Sequence, residues 1–330
     1  MNYCIGSSLT RLTSMNKADI RALEAQLTEL PHSQKKHFLS LLSQLIESQA
    51  ASFIDSSSDI TCCRHCTSPQ IKKWGKSAGL QRYKCKNTEC GKTFNALTGT
   101  ALSGLRQKDK WFDYLQCMFD SLPLRKAAQR VNIDLTTAFR WRHRFLKAPT
   151  EIQTKNVSGI VEADETFFLE SFKGKRTIEH RKPRKRGGEG KKSKMEDKIS
   201  VLIVRDRNGQ VCDFVLDELS KEQIQGRLKP IVDGDAVLCT DGASWYKTFA
   251  KQENIAHRRL ITLDKQRVIG KEFHIQNVNN YISRLKTWII RFNGVGTDYL
   301  AHYLGWRRLF ETSEVTTCNW MKLAMGINNS

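Results

Sequence analysis

This 330-residue sequence has few long apolar runs, few acidic residues and little cysteine. No stretch is long enough to cross a membrane and the first residues contain no apolar signal segment, which excludes a membrane-spanning protein. The 10 cysteines are too few for a disulfide scaffold and fit a reducing cytoplasm. Only 34 Asp and Glu balance 54 Lys and Arg, so the net charge is +20 and the pI is about 9.6. We therefore expect a polyanionic partner, and nucleic acid is the commonest one.

Four of the cysteines form two short pairs, Cys63-Arg-His-Cys66 and Cys85-Lys-Asn-Thr-Glu-Cys90. Zinc prefers four soft ligands in a tetrahedron, and a four-thiolate site leaves no position for water. The spacing therefore predicts one structural Zn²⁺ in a zinc ribbon over residues 59–104. Cys62 and His65 are alternative ligands, although the two-residue loop between Cys63 and Cys66 fits the geometry best. The predicted ligands are Cys63, Cys66, Cys85 and Cys90.

Residues 1–58 are predicted to form an amphipathic helical arm and a linker. Apolar residues recur at helical spacing on both sides of Pro31, which predicts two helices. The serine-rich stretch 51–59 is predicted to be the linker. We expect the arm to serve packing or oligomerisation.

Residues 105–150 are predicted to form three helices with a helix-turn-helix. The segments 124–131 and 134–145 flank a short turn at Asn132, and Asp134 is the predicted N-cap of the recognition helix. A purely structural helical bundle is the alternative. Predicted packing positions are Ala127, Ala128, Val131, Leu135, Ala138, Phe139 and Trp141. Predicted DNA-contact positions are Thr136, Thr137, Arg140 and Arg144.

From residue 151 to 311 the pattern becomes α/β, and a C-terminal tail is predicted at 312–330. Strands are predicted at 157–169, 199–204, 211–216, 236–240 and 255–260, and helices at 221–228, 245–252 and 277–292. This β-β-β-α-β-α-β-α order is that of the ribonuclease-H-like fold, with a mixed five-stranded sheet. A basic insertion at 173–198 is predicted to be a flexible loop that follows DNA phosphates, the alternative being a solvated surface loop. Its predicted contacts are Arg181, Lys182, Arg184, Lys185 and Arg186.

Two aspartates lie at or near the ends of predicted strands, Asp164 on the first and Asp241 after the fourth. These strands are neighbours in the ribonuclease-H-like arrangement, so we expect the two carboxylates to face each other and hold a pair of Mg²⁺ ions. Glu165 should point to the opposite face because side chains alternate along a strand, and we expect it to form a salt bridge or to support the metal ligands rather than to bind metal. Glu162, two positions before Asp164, is a further candidate ligand.

The helix predicted at 277–292 contains no acid that could supply a third carboxylate. Asn279 and Lys286 lie two turns apart on one flank of it. Asn279 could offer its carbonyl oxygen to a metal and Lys286 could contact a DNA phosphate, whereas a helix cap is the alternative role for Asn279. Asp264, Glu272 and Glu311 are weaker candidates for the third acid, and His274 could lie near the site.

Several segments together resemble bacterial insertion-sequence transposases of the zinc-ribbon DDE group, insertion-sequence family 1595 with its ISXO2-like transposase domain, over roughly residues 60–310. Besides the cysteine pairs they are Gln81-Arg-Tyr-Lys-Cys85, Phe94-Asn-Ala-Leu-Thr-Gly-Thr100, Asp164-Glu-Thr166, Arg184-Lys-Arg-Gly-Gly188, Thr240-Asp-Gly242, Val278-Asn-Asn-Tyr281 with Lys286, Gly294-Val295 and Tyr303-Leu-Gly-Trp306.

The resemblance implies a DNA transposase that binds the terminal inverted repeats of its element, frees 3′-OH ends and joins them to target DNA. It implies two Mg²⁺ ions, for which Mn²⁺ can substitute, and a homodimer or larger assembly on DNA in the bacterial nucleoid. Asp164 and Asp241 match the first two acids, and Asn279 stands where many relatives carry Glu.

Two other functions remain open on the sequence. The missing third acid favours a catalytically decayed or domesticated DNA-binding protein. A structure-specific nuclease such as a junction resolvase is the third hypothesis, and the helix-turn-helix argues against it because such a motif reads sequence in the major groove.

Overall fold

The computed structural model describes residues 17–179, 181–182, 197–260, 268–270, 272–312 and 315–327. The chain divides into two compact units, 1–116 with 316–330, and 117–315. Among the described residues, no helix combines the length and the apolarity that crossing a membrane requires. The predicted boundaries of independently folding domains stay predictions.

The first unit contains two helices before the cysteine pairs and a small sheet after the first pair. The sheet is antiparallel in the order β1-β2-β3. Its elements are α1 (Lys17–Glu29), α2 (His32–Ser56), β1 (Ile71–Ser77), β2 (Leu80–Cys85), β3 (Thr93–Asn95), the first part of α3 (Trp111–Phe119) and, from the C-terminal end, α10 (Thr317–Ala324). The predicted break at Pro31 is confirmed, because Pro31 lies directly before α2.

Helix α2 continues through most of the segment predicted to be a linker, so that prediction was wrong. Its last turns are held by tertiary contacts: Ala51 and Ile54 are buried, and the backbone N–H of Gln81 donates to Asp55 Oδ2 at 2.9 Å. Serine-rich composition favours a linker only when nothing packs against it. Here Ala50, Ala51 and Ile54, the apolar residues near the end of the helix, are covered.

The predicted C-terminal tail also contains structure that the sequence analysis missed. The hydroxyl of Thr316 accepts from the backbone N–H of Asn319 at 3.1 Å and caps α10. Trp320 and Met321 on this helix are buried. A short helix of this kind forms because its apolar side is covered rather than because its sequence is strongly helical.

The second unit contains the two helices of the predicted helix-turn-helix and a five-stranded sheet. The predicted N-cap is confirmed, since Asp134 accepts from the backbone N–H of Thr136 at 2.8 Å. Its elements are α4 (Leu124–Val131), α5 (Leu135–Glu151), β4 (Ile160–Leu169), β5 (Lys198–Asp206), β6 (Val211–Leu216), α6 (Lys221–Leu228), β7 (Val237–Thr240), α7 (Ser244–Gln252), β8 (Ala256–Arg259), α8 (Gln276–Ile290) and α9 (Leu300–Thr312).

The sheet has the order β6-β5-β4-β7-β8, in which β4, β5 and β6 are antiparallel neighbours and β7 and β8 run parallel to β4. The Asn208-Gly209 turn joins β5 and β6 as predicted, with Gly209 in the left-handed region at φ 88°. This order and these directions confirm the ribonuclease-H-like α/β fold. They also place the ends of β4 and β7, which carry the predicted acids, side by side.

Helix α8 lies along the sheet through the predicted apolar stripe, and it begins beside β4. Val278, Tyr281, Ile282, Leu285 and Trp288 are all buried. The opposite side of the helix, including the asparagine pair at 279 and 280, is exposed. The stripe therefore sets which side chains of α8 remain available for chemistry.

Helix α5 packs closely on α9. A Cβ atom on Gly305 would come within 2.7 Å of the Pro149 carbonyl oxygen, so only glycine permits this approach. The buried guanidinium of Arg308 donates to the carbonyl oxygens of Pro149 and Ile152, both at 2.9 Å. These contacts join the end of α5 to the same unit as the sheet.

Candidate functional site

The four predicted zinc ligands come together in the first unit. Each can place its sulfur within 4.8 Å of the others. Cys63 Sγ lies 3.9 Å from Cys90 Sγ, and Cys66 Sγ lies 3.6 Å from Cys85 Sγ. A tetrahedral site with Zn–S bonds of about 2.3 Å needs sulfurs about 3.8 Å apart, so the cluster could hold one zinc ion.

Both cysteine pairs sit in tight backbone turns. The residue after each second cysteine is left-handed, with Thr67 at φ 58° and Gly91 at φ 54°. The backbone N–H of His65 donates to Cys63 Sγ at 3.4 Å. Burial raises the pKa of the Cys63 thiol, but the backbone N–H groups of His65 and Cys66 together with the Cys66 and Cys85 thiols lower it, to about 7. Cys63 is thus prepared to act as a thiolate ligand.

The two alternative zinc ligands take other positions. Among the described residues, the metal-ligating cluster contains neither Cys62 nor His65. The His65 ring instead lies edge-on to Phe94, with centroids 6.2 Å apart. Phe94 also stacks on Tyr83 and forms a small core with Cys63 and Cys85.

A second cluster, here called the acidic centre, contains Asp164, Glu165 and Asp241. Each can place a carboxylate oxygen within 4.8 Å of the other two. Asp164 is half-buried on β4 and Asp241 is exposed directly after β7. Carboxylate oxygens are the ligands that hard divalent cations prefer, so the acidic centre could hold such ions.

The pairing of β4 with β7 brings the two aspartates together. The strands are parallel, and the last pair in register is Glu162 with Cys239. Asp241 then enters a turn in which its Oδ1 accepts from the backbone N–H of Ala243 at 3.1 Å. Gly242 occupies the left-handed region at φ 95° in this turn. The chain can therefore place Asp241 beside Asp164 and start α7 at once.

Glu165 was expected on the face opposite Asp164, and its sheet partner Leu202 belongs to the core cluster that also contains Tyr246, on that opposite face. Its carboxylate nevertheless lies within 4.8 Å of those of both aspartates. Its Oε1 accepts from Trp245 Nε1 at 2.8 Å and from the Tyr246 hydroxyl at 2.7 Å. Strand alternation therefore holds at Glu165, and its long side chain still brings the carboxylate to the acidic centre.

The electrostatics of the acidic centre are those of a crowded group of carboxylates. The pKa of Asp164 is raised to about 7 by burial first, and then by the negative charges of Glu165 and Asp241. The backbone N–H of Glu165 and the charge of Lys286 act in the opposite direction. Burial and Glu165 also raise the pKa of Tyr246 well above its ordinary value, so its phenol keeps its proton and donates.

Glu162 was a candidate ligand, and the structure gives it another role. Its buried carboxylate accepts from the backbone N–H of Val278 at 2.9 Å and from the Asn277 side chain at 3.0 Å. Arg207 pairs with it at 3.0 Å, and His274 lies at 3.5 Å. Glu162 therefore anchors the start of α8 beside β4.

Asn279 and Lys286 are both exposed on α8. Asn279 lies inside the helix, and its backbone N–H donates to the Ile275 carbonyl at 3.1 Å, so the helix-cap alternative was wrong. The effect of Lys286 on the pKa of Asp164 places its charge near the acidic centre. Of the weaker acids, Glu311 pairs with Arg205, Arg284 and Arg307, Glu272 is exposed, and Asp264 lies outside the described residues.

The recognition helix differs from its prediction at two packing positions. Leu135 and Phe139 are 39% and 37% exposed, whereas the other five predicted packing residues are buried. They lie on the side of α5 that also carries exposed Thr136 and Arg140. That face is therefore partly apolar. Thr137 is half-buried and Arg144 is exposed.

In the described part of the basic insertion, cationic side chains form hydrogen bonds and an ion pair within the protein. Lys173 Nζ donates to the carbonyl oxygens of Phe292, Asn293 and Gly294 at 2.8 to 3.2 Å, just after α8. Arg181 pairs with Glu170 at 3.5 Å, so its charge is engaged inside the protein. Lys182 is exposed. The predicted contacts Arg184, Lys185 and Arg186 lie outside the described residues.

The outer strand of the zinc ribbon has a basic face that the sequence analysis did not single out. Residues 72–77 on β1 are all exposed. Two ammonium groups lie over the Trp74 ring, with Lys72 Nζ at 4.7 Å and Lys84 Nζ at 4.8 Å from its centroid. The run Lys72-Lys-Trp74 is the sequence feature that could have indicated this basic face. Its charge has the sign that phosphates attract.

Comparisons with known proteins find a transposase domain in this chain. Residues 156–307 match the family described as the ISXO2-like transposase domain. The chain is 25% identical over 251 residues, 73% of its length and 82% of the relative's, to a protein in the transposable element ISH50 of Halobacterium salinarum.

Among solved structures, the chain is similar to one in the simian T-cell lymphotropic virus intasome in complex with PP2A regulatory subunit B56 gamma. The TM-score is 0.30 at 10% identity, covering 64% of this chain and 73% of that one. For a pre-cleavage Mos1 transpososome the TM-score is 0.24 at 11% identity, covering 66% and 79%.

The α/β fold, the acidic centre and the matched domain define a transposase. Residues 156–307 are similar to the ISXO2-like transposase domain of insertion-sequence family 1595.

Proposed function

We propose that this protein binds the terminal inverted repeats of an insertion sequence, cleaves the DNA to free 3′-OH ends and joins them to target DNA by metal-dependent transesterification. The observation that carries the proposal is the meeting of Asp164 and Asp241 at neighbouring strand ends. Carboxylates on two rigid strands can hold a pair of divalent ions against a scissile phosphate.

Asp164 and Asp241 would hold Mg²⁺, or Mn²⁺ in its place, and Asn279 would add a neutral oxygen. Bound metal supplies charge that stabilises the attacking and leaving oxygens. Because the pKa of Asp164 is about 7 without metal, Asp164 must release its proton to act as a ligand. Lys286, exposed on α8, would contact a DNA phosphate.

The proposed DNA contacts lie on the recognition helix and on the basic insertion. Thr136, Thr137, Arg140 and Arg144 would read or position the terminal repeat, and Lys182 with the cations at 184–186 would contact phosphates. The four-cysteine site would hold one structural Zn²⁺. Two element ends must be held together, so we propose a dimer or a larger assembly on DNA.

The test is nicking of DNA that carries the terminal repeats found beside the gene. Asp241→Ala should reduce Mg²⁺-dependent nicking by at least about 10³-fold, because the residues of such a centre act as a unit. Asp235→Ala, an exposed acid just before β7, is the matched control and should nick like the wild type. Undiminished nicking by Asp241→Ala would reject the assignment of this centre.

A catalytically decayed DNA-binding protein is the second candidate, and one observation favours it: α8 contains no acid. If the wild type binds the terminal repeats without nicking them, Asn279→Glu discriminates the two. Nicking restored by Asn279→Glu would mean that the fold and the other ligands still support catalysis. If Asn279→Glu binds the terminal repeats but does not nick them, the result would support a DNA-binding role alone.

A further inference from the structure

Asp241 is the less supported of the two predicted metal ligands. Asp164 lies within β4, paired with Ile203 of β5, whereas Asp241 follows the last residue of β7 and is exposed. Its backbone belongs to a short turn containing Gly242 in the left-handed region. The position of Asp241 therefore depends on what holds the far end of this turn.

The far end of the turn is the start of α7, and Glu165 holds it. Trp245 and Tyr246 are the second and third residues of the helix, and both donate to the same oxygen, Glu165 Oε1, at 2.8 and 2.7 Å. Tyr246 is fully buried in the core beneath the sheet. Glu165 itself is adjacent to Asp164 on β4. The two donors therefore connect the segment that carries Asp241 to the strand that carries Asp164.

A carboxylate is suited to this connection. Hydrogen bonds to an ionised acceptor are about twice as strong as neutral ones, and two donors on one oxygen fix the orientation of the carboxylate. Without such bonds, three carboxylates this close would repel one another and Glu165 would turn away. Trp245 and Tyr246 hold it in place while the adjacent turn is drawn against β4.

On the basis of the proposed function, we infer that Glu165 is a positioning residue that acts through Trp245 and Tyr246 to hold Asp241 opposite Asp164. Its role would lie in accepting two hydrogen bonds. A glutamine has the same oxygen in the same place and can accept both, whereas leucine can accept neither. Glu165→Gln and Glu165→Leu therefore distinguish whether Glu165 acts as a hydrogen-bond acceptor or as a charged metal ligand.

The experiment measures Mn²⁺ affinity of the full-length, zinc-loaded protein by electron paramagnetic resonance of the free ion, without DNA. Glu165→Leu should weaken Mn²⁺ binding by roughly 10- to 100-fold, the range for residues that orient metal ligands. Glu165→Gln should restore most of this loss. The double variant Trp245→Phe/Tyr246→Phe should resemble Glu165→Leu.

A coupling test uses the combined variant with all three changes. Because the residues act through the same hydrogen bonds, the triple variant should bind Mn²⁺ no more weakly than Glu165→Leu. Additive losses would overturn the inference. So would equal losses in Glu165→Gln and Glu165→Leu, since that result assigns a charged ligand.

Two further measurements keep the outcome decisive. If Glu165→Leu does not fold, Tyr246→Phe replaces it, because this change removes one donor and keeps the ring. Unchanged Mn²⁺ affinity of Tyr246→Phe would then overturn the inference. Asp241→Ala separates the two levels of the proposal. If Asp241→Ala loses Mn²⁺ and the Glu165 variants keep it, only the positioning role of Glu165 is rejected. If Asp241→Ala binds Mn²⁺ as the wild type does, the proposed metal centre itself is rejected.

Discussion

The two candidate metal centres differ in how the chain builds them. The zinc site takes its ligands from two tight turns close together in sequence, and two of its cysteines are buried. The acidic centre joins residues from two strands far apart in the chain, and Asp241 is exposed. Soft thiolates that surround an ion leave no room for substrate, whereas carboxylates at a strand edge leave an open side.

This difference also concerns stability. The ribbon core contains only a few apolar residues around Cys63, Cys85 and Phe94. The sheet that carries the acidic centre has a much larger apolar core, including Val161, Leu202 and Leu238. We therefore expect the ribbon to need its metal in order to fold, and the sheet to fold without one.

Removal of zinc should give the largest effect. Zinc binding contributes on the order of 10 kcal/mol to small zinc domains, so Cys63→Ser or a strong chelator should unfold β1–β3. Hydrogen–deuterium exchange should show loss of protection at residues 71–95 and retained protection at 198–216, with zinc content measured in parallel. Protection of the ribbon in zinc-free protein would contradict this.

The next effect is the pH dependence of the acidic centre. The folded pKa of Asp164, about 7, is above its ordinary value of 3.8, so metal must displace a proton below pH 7. Mn²⁺ affinity should rise roughly tenfold per pH unit below pH 7 and level off above it. In metal-free protein the same shift acts oppositely on folding: the contribution of Asp164 to stability is present below about pH 4 and is lost as pH rises through 7.

Isothermal titration with Mn²⁺ between pH 5.5 and 8.5 checks this dependence, conditions that we choose to bracket the pKa of about 7. Glu165→Gln is the comparison variant, because the charge of Glu165 raises the pKa of Asp164 more than the charge of Asp241 does. In this variant the rise of Mn²⁺ affinity with pH should level off at a lower pH than in the wild type. An affinity that does not change with pH would show that Asp164 is not a ligand.

A smaller effect is expected at Asn279. If its carbonyl oxygen binds metal, Asn279→Ala should weaken Mn²⁺ affinity by about tenfold, since a neutral ligand contributes less than a carboxylate. Asn280→Ala is the matched control, because Asn280 is its exposed neighbour on α8. Equal Mn²⁺ affinities of Asn279→Ala and Asn280→Ala would show that Asn279 is not a metal ligand.

The smallest effect should come from Cys62. It is adjacent to Cys63 but does not belong to the cluster of four sulfurs. Cys62→Ser should bind one zinc per chain with unchanged affinity, measured by competition with a chromophoric chelator. Loss of zinc from Cys62→Ser would show that the first cysteine pair is shifted by one residue.

The accuracy of the predictions follows the range of the interactions. Helix 221–228, strand 211–216 and the Asp134 cap were predicted correctly because periodicity, turn residues and capping act over a few residues. The helix end at 51–56, the helix at 317–324 and the exposure of Phe139 were not predicted. Each depends on what the neighbouring chain covers.

The sequence alone determined the four-cysteine site, the order of strands and helices and the excess of positive charge. These are local or summed properties that need no knowledge of distant contacts. Only the tertiary structure decided that Glu165 joins the two aspartates and that Glu162 anchors α8 instead. The physical reason is that the hydrogen-bond donors that fix these two carboxylates, Trp245 and Tyr246 for Glu165 and Val278 for Glu162, lie far along the chain from β4.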